Sequence, residues 1–340
     1  MELLKISKKD FLSFVDKKIS EKKSKIVGVI QKGSHFVFDD LASSGDLRLD
    51  YDITILPPKK YFQPQKEILL KYAPKNVESY QAVNNYDPIT IFGIHYYDLA
   101  AIYLMDRTFA DGDNDEHYIK KRENSLLIGS YPQKHFKQRF SKSVVKDQHY
   151  KVADLMLVDM GDEYVIEVIS EKGKNYLKGS QLKKNTYSLK QVEEAKTRIK
   201  DDQKLPVSVD IASEFLTRNY YHPVWKHFGD KCFSCGSCVF VCPTCYCFDV
   251  REEIDLTLSK GERIRVWDGC MLEDFAMVAD GHNFRNNRAD RFRHRTFRKV
   301  KYLPEKYRYF GCVGCGRCAD ACTADIAGPN KVFKYILENQ

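Results

Sequence analysis

The first 231 residues of this 340-residue chain contain no cysteine; all eleven cysteines lie between Cys232 and Cys322. Sulfur chemistry is therefore confined to the last third of the chain. No hydrophobic run approaches the roughly 20 residues that a bilayer span requires. The amino terminus, MELLKISKKDFLSF, lacks a continuous apolar stretch and a small-residue cleavage site, so it reads as the opening of an amphipathic helix and not as a signal peptide. There is no G-x-G-x-x-G, no Walker A loop and no H-E-x-x-H, and nothing points to an independent nucleotide or protease site. Charge is not lopsided: 55 Lys and Arg stand against 47 Asp and Glu, a net +8. These absences predict a cytoplasmic protein, where thiols stay reduced and clustered cysteines favour metal over disulfides. Eleven is also odd, which excludes a fully paired disulfide framework within one chain.

What is there fits a globular protein: 43% of residues are hydrophobic and 30% charged, in a chain long enough for two domains. The pattern predicts an α+β protein, with a mixed α/β domain over 1–222 and a helical, ferredoxin-like cysteine domain over 223–340. KIVGVIQKGSHFVFDDL reads as a hairpin turning at Lys32 and Gly33. LRLDYDITILPPKKYF reads as a strand stopped by Pro57 and Pro58, and QKEILLKYA as a helix. ITIFGIHYYDLAAIYLMDRTF predicts a buried strand, a turn at Gly93 and a helix with Asp98 as N-cap. NSLLIGSY is a further strand, and ADLMLVDMGDEYVIEVI a pair turning at Gly161 and Asp162. SLKQVEEAKTRIKDD reads as an exposed helix, and VDIASEFLTRNYYHPVWKHFGDKC as a helix broken by Pro223. Between the cysteine runs, EEIDLTLSKGERIRVWDGCMLEDFAMVADG reads as largely helical.

The stretch CFSCGSCVFVCPTCYCFDV carries the spacing Cys232-x2-Cys235-x2-Cys238-x3-Cys242-Pro243. This is the spacing of bacterial two-cluster ferredoxins, in which the fourth cysteine ligates the other cluster. A second run repeats it as Cys312-x2-Cys315-x2-Cys318-x3-Cys322, with Thr323 where the first has proline. The sequence thus assigns Cys232, Cys235, Cys238 and Cys322 to one [4Fe–4S] cluster, and Cys242, Cys312, Cys315 and Cys318 to a second. Gly236, Gly314 and Gly316 suit loops whose backbone must approach inorganic sulfur. Zinc is the rival reading, of a metal-stabilised interaction module. Zinc takes four ligands per site, however, and seldom uses three cysteines at successive x2 spacing. Cys245, Cys247 and Cys270 are left over. Completed by Asp268 or His282 they would hold a third iron–sulfur cluster; as small buried residues they would pack around the other two.

The run FRNNRADRFRHRTFRKVK (284–301) is strongly basic, with Asp290 its single acid. Nucleic acid is one partner for such a run. The reading adopted is that its guanidinium groups offset the charge of anionic clusters, so no nucleic acid is expected. Arg263, Arg265, Arg285 and Arg291 are candidates for tuning or docking. Asp98, Arg107 and Asp111 read as helix-cap and surface charges, not as a catalytic set. His222 and Pro223, before Trp225, read as shaping the chain, and His282 and His294 as ordinary hydrogen-bonded side chains.

Taken together, CFSCGSCVFVCPTCYCFDV, GERIRVWDGCM, GHNFR, RFRHR and CVGCGRC resemble the β subunits of soluble nickel–iron hydrogenases (sulfhydrogenases), and also the iron–sulfur electron-transfer subunit of the anaerobic sulfite reductase. ILPPKKYFQPQKEILLKY, FGIHYYDLAAIYLMDRTF and RENSLLIG carry the likeness over most of the chain. The resemblance implies an electron-transfer subunit without substrate chemistry of its own. Such a subunit sits beside a flavin (FAD) subunit that handles NAD(P)H, and relays electrons between it and a hydrogenase or sirohaem sulfite reductase module. Relatives often carry a cysteine before the aspartate where this chain has His95, Tyr96 and Tyr97 before Asp98, and a cysteine-bearing stretch after LLIG is absent. The resemblance therefore brings no metal or redox role to this N-terminal domain.

Overall fold

A computed structural model describes residues 2–339. The first strands are β1 (Glu2–Ser7), β2 (Lys25–Lys32), β3 (His35–Asp40), β4 (Lys66–Ala73), β5 (Asn76–Ala82) and β6 (Ile89–His95). They are followed by β7 (Ser125–Ser130), β8 (Leu155–Asp159), β9 (Glu163–Val168), β10 (Lys183–Lys184), β11 (Phe248–Ile254) and β12 (Gly261–Trp267). Eight of them form one mixed sheet in the order β10-β1-β9-β8-β7-β6-β2-β3. Its centre is parallel, β2 with β6, β6 with β7 and β7 with β8. These central strands are near-continuous apolar runs, as strands covered on both faces must be.

The helices before the cysteines are α1 (Lys8–Glu21), α2 (Tyr96–Phe109), α3 (Glu116–Glu123), α4 (Glu171–Tyr176), α5 (Leu189–Thr197), α6 (Ala212–Arg218) and α7 (Val224–Lys231). Helix α2 is buried along most of its length, and its Leu99, Ile102 and Met105 join the main core with Ile91 and Leu127. The remaining helices are α8 (Ser237–Phe240), α9 (Arg288–Phe297), α10 (Leu303–Tyr307), α11 (Arg317–Asp320) and α12 (Pro329–Glu338). A π-turn over Arg298–Tyr302 joins α9 to α10. Among the described residues no helix is long and apolar enough to cross a membrane.

The α+β class holds, and both expected hairpins form, with Gly33 at φ 61° and Gly161 at φ 100°. Several local expectations do not hold. The amino terminus opens on β1 before α1 begins, capped by the Ser7 hydroxyl accepting from the Asp10 N–H. LRLDYDITILPPKKYF is irregular: it keeps one bridge, Thr54 to Phe36, and ends in a 3-10 turn at Pro58–Tyr61. QKEILLKYA is strand β4, because β12 and β5 flank it on either side. Gly93 is a bulge inside β6 at φ 79°, where the register with β7 shifts, and α2 starts at Tyr96 with His95 as N-cap. The segment between the cysteine runs supplies β11 and β12 instead of helix; its β-branched residues alternate with charged ones, Arg263-Ile264-Arg265-Val266.

Those two strands complete a second, antiparallel sheet in the order β11-β12-β4-β5. Half of it comes from before residue 222 and half from after, so the cysteine-bearing part is anchored on the N-terminal part by main-chain hydrogen bonds. Helices α6 and α7, separated at Pro223 as expected, pack with α9 and α12 in a core built from Leu216, Trp225, Phe297 and Phe333.

Candidate metal centre

The two cysteine runs fold into the same shape. In the first, Ser234 stands at φ 55° and Gly236 at φ 74°; in the second, Gly314 stands at φ 63° and Gly316 at φ 85°. The Ser234 N–H donates to Cys232 Sγ at 3.4 Å, and the Gly314 N–H to Cys312 Sγ at 3.4 Å. Gly236 and Gly316 then begin the four-residue helices α8 and α11, which carry Cys238 and Cys318. Two left-handed residues per loop turn the backbone so that three sulfurs face inward, a conformation that costs most side chains energy and glycine little.

Each loop borders a cavity, and each cavity takes its fourth cysteine from the other run. Cys232, Cys235, Cys238 and Cys322 line one, with Met271, Phe292 and Ile326 around them. Cys242, Cys312, Cys315 and Cys318 line the other, with Phe140, Arg295 and Lys299. Burial pushes the thiols of Cys238 and Cys312 up to about 12. Cys235 is the exposed member, and a hydrogen bond from the Ser237 hydroxyl lowers its pKa.

The charges around these cavities fit an anionic guest. Arg291, Arg295 and Lys299 recur every four residues along one face of α9 and the π-turn, and all three are buried. Among the described residues none of the three has a carboxylate partner. Arg295 Nη2 donates to the Cys238 carbonyl at 3.1 Å, while its Nε is buried without a partner. Arg291 Nη2 donates to Ser234 Oγ at 3.0 Å, and its Nε is likewise orphaned. Lys299 Nζ donates to the carbonyl and hydroxyl of Thr244 at 3.0 and 2.7 Å. Burial works against the charge on Arg295, but the sulfurs of Cys238, Cys318, Cys242 and Cys245, once ionised, outweigh it and raise its pKa. A buried cation without a counter-ion costs several kcal/mol, on the order of 3–5 when one partner of a pair is missing. Thiolate-bound iron–sulfur cubanes would supply the missing negative charge, and the donor set fits them.

Of the remaining cysteines, Cys245 lies beside the second cavity, while Cys270 precedes Met271 of the first. Cys245 hydrogen-bonds the Cys242 thiol, and its carbonyl accepts from the buried Lys59 Nζ at 2.7 Å. Burial raises Cys247 to about 11, with Cys270 and Asp268 adding to the rise, so Asp268 lies near this pair. His282 is exposed, its ring edge-on to Phe284. Among the described residues no three His, Cys, Asp or Glu side chains close on a single metal ion.

Other residues singled out in the sequence separate cleanly. Arg285 is tied into the first loop, its carbonyl accepting from Arg291 Nη1 at 3.1 Å. Arg263 and Arg265 instead sit in the small sheet, paired with Glu252 and Glu67, each at 2.5 Å. His222 Nδ1 accepts from the Val224 N–H at 3.0 Å, holding the start of α7. Burial lowers His294 to about 4, its ring against Tyr302. Arg107 and Asp111 are exposed, bonded to Tyr103 and Lys306.

Asp98 corrects the sequence reading. It is neither a cap nor a surface charge but is fully buried inside α2, where it forms a two-pronged ion pair with Arg317 at 2.6 and 2.7 Å. Arg317, which the sequence reading passed over, lies between Cys315 and Cys318; its guanidinium also donates to the carbonyl and hydroxyl of Thr54, each at 2.8 Å. The signal for it is an arginine inside a metal-binding loop, at the place where the first loop has Ser237.

Residues 231–326 match the family model of the 4Fe-4S dicluster domain. The chain is 31% identical over 310 residues to the sulfhydrogenase 2 subunit beta of Pyrococcus furiosus, covering 89% of each chain. It is 21% identical over 184 residues to the F420-dependent formate dehydrogenase subunit beta of Methanocaldococcus jannaschii, covering 52% of this chain and 40% of that one. No solved structure matches it. With most of both chains aligned at that identity, the protein belongs to the sulfhydrogenase β-subunit family.

Proposed function

We propose that this chain is the iron–sulfur relay subunit of a multi-subunit oxidoreductase, with two [4Fe–4S] clusters and no substrate chemistry of its own. Cys232, Cys235, Cys238 and Cys322 hold the first cluster, and Cys242, Cys312, Cys315 and Cys318 the second. The observation that carries this is the exchange of the fourth cysteine between two matched loops, since each cavity draws on both runs. Such clusters accept and release one electron at a time with little change of geometry. The chain's contribution is to exclude water around the second cavity, to donate backbone N–H groups to sulfur, and to hold Arg291, Arg295 and Lys299 against the added negative charge.

The alignment with a sulfhydrogenase subunit supports a hydrogenase module as catalytic partner; that this module is nickel–iron, and that a flavin subunit handles NAD(P)H at the other end of the relay, is proposed from the sequence resemblance. An anaerobic sulfite reductase complex is the alternative, and nickel or sirohaem in the complex purified with this chain distinguishes them. Residues 1–222 and 223–340 are proposed as the two domains. Cys245, Cys247 and Cys270 are proposed to be packing residues. The test is iron, acid-labile sulfide and zinc content of anaerobically purified protein, with EPR after dithionite reduction. About eight irons and eight sulfides are expected. About twelve would make the three leftover cysteines a third centre, and zinc without sulfide would overturn the relay.

A further inference from the structure

We propose that the buried Asp98–Arg317 ion pair sets the reduction potential of the centre in the second cavity, which makes Asp98 a positioning residue for electron transfer. This rests on the two-cluster reading and adds to it a specific difference between the clusters.

Arg317 occupies the position between the second and third cysteines of its loop. The matching residue of the first loop is Ser237, a neutral hydroxyl 3.3 Å from Cys235 Sγ. Arg317 is 2% exposed and Asp98 not at all. Four hydrogen bonds, two to Asp98 and two to Thr54, fix the guanidinium in one orientation. Charges held so firmly away from water act on their surroundings through a low dielectric. The loop sets this pair beside the second cavity, because Cys315, Gly316 and Cys318 on either side of Arg317 line it and Asp98 grips the guanidinium from α2. Reduction adds one electron and one negative charge there, which the nearer guanidinium favours and the carboxylate behind it opposes. The pair belongs to both parts of the chain, because Asp98 and Thr54 come from the N-terminal part and Arg317 from the cysteine loop. The N-terminal part thereby gains a redox role without supplying a ligand.

The test is a reductive titration of the anaerobically loaded chain followed by EPR, with the signal lost in Cys242→Ser identifying the second centre. Asp98→Asn leaves the guanidinium uncompensated, and at a fixed potential the reduced-to-oxidised ratio of the second centre should rise about tenfold, about 59 mV for one electron. The double variant Asp98→Asn/Arg317→Gln leaves no unpaired buried charge, which protects folding. It should shift the same centre in the opposite direction. The first centre should stay in place in both. Loaded variants whose second centre does not move, or moves together with the first, overturn the proposal. If Asp98→Asn does not load, the double variant decides alone: a lowered potential supports the proposal and an unchanged one overturns it. A wild-type chain without two cluster signals would instead sink the two-cluster reading.

Discussion

The two cysteine loops share spacing, left-handed turns and N–H to sulfur bonds, yet they live in different surroundings. In the first, Cys235 and its neighbour Phe233 are exposed, the latter at 68%. In the second, Val313 through Ala319 are all buried, and the Gly314 carbonyl accepts from the Phe140 N–H at 2.8 Å. One loop is a door and the other is wedged between the two halves of the molecule. The duplication therefore fixes how iron is held, while the surroundings decide how far each centre is from water and which charges it feels. An electron relay needs that asymmetry, because one end must meet a partner and burial is one of the levers that set potential.

The largest effect should come from breaking the exchange between the loops. Cys322→Ser lies in the second run but lines the first cavity, and Cys242→Ser is its mirror image. Cys322→Ser should remove the signal of the solvent-near cluster, with loss of about four of about eight irons, and leave the buried one intact. Cys242→Ser should do the converse. Solvent proximity can be read from EPR broadening by an added paramagnetic relaxant. If Cys322→Ser instead removes the relaxant-insensitive signal, each run holds its own cluster and the crossed assignment fails.

A smaller effect should separate the glycines that begin α8 and α11. A Cβ on Gly316 would lie 2.7 Å from the backbone C and O of Gln138, which cannot step aside. On Gly236 it would meet Phe240 and Leu272 side chains at 2.8 and 2.9 Å, which can rotate away. Both changes carry the left-handed penalty of about 1–2 kcal/mol, but only Gly316→Ala adds a backbone collision. Denaturant unfolding of the anaerobic protein should therefore show Gly316→Ala as the more destabilised by at least about 1 kcal/mol. Equal losses would mean that the second loop does not lean on the N-terminal part as tightly as the Phe140 and Gln138 contacts indicate.

How much of this was legible in the sequence follows from the range of the forces involved. The cysteine spacing encodes a local loop, so which four cysteines line each cavity is legible in it, the crossing of Cys242 and Cys322 included. Short apolar runs were harder. QKEILLKYA became strand β4 because β5 pairs with it on one side and β12, nearly 200 residues later, on the other. Asp98 looked like a cap because its partner Arg317 lies 219 residues away. The inward turn of the basic run is half legible: composition points to cations that offset cluster charge, while those that turn inward, Arg291, Arg295 and Lys299, are marked by their four-residue spacing. That spacing on one helix face was the signal for which cations are buried.

The smallest effect, and the finest test of the matched loops, is Ser234→Gly. Ser234 occupies the place of Gly314 at nearly the same φ, so glycine should relieve about 1 kcal/mol of left-handed strain. Against that, the change removes the hydroxyl that accepts from Arg291 Nη2, a hydrogen bond to a charged group worth about 1.5–3 kcal/mol when its donor is left buried. Glycine also loosens the unfolded chain by about 0.5–1 kcal/mol. The sum is a destabilisation of about 1–3 kcal/mol, with the first cluster retained because its four thiols are untouched. The reverse exchange, Gly314→Ser, places a Cβ 2.7 Å from the Phe140 backbone and should cost more. Paired unfolding curves of the two variants would show whether Ser234 is a tolerated departure from glycine or the anchor that turns Arg291 toward the first loop. Unchanged stability in Ser234→Gly would assign that role to the Arg285 and Asn286 carbonyls that Arg291 also meets.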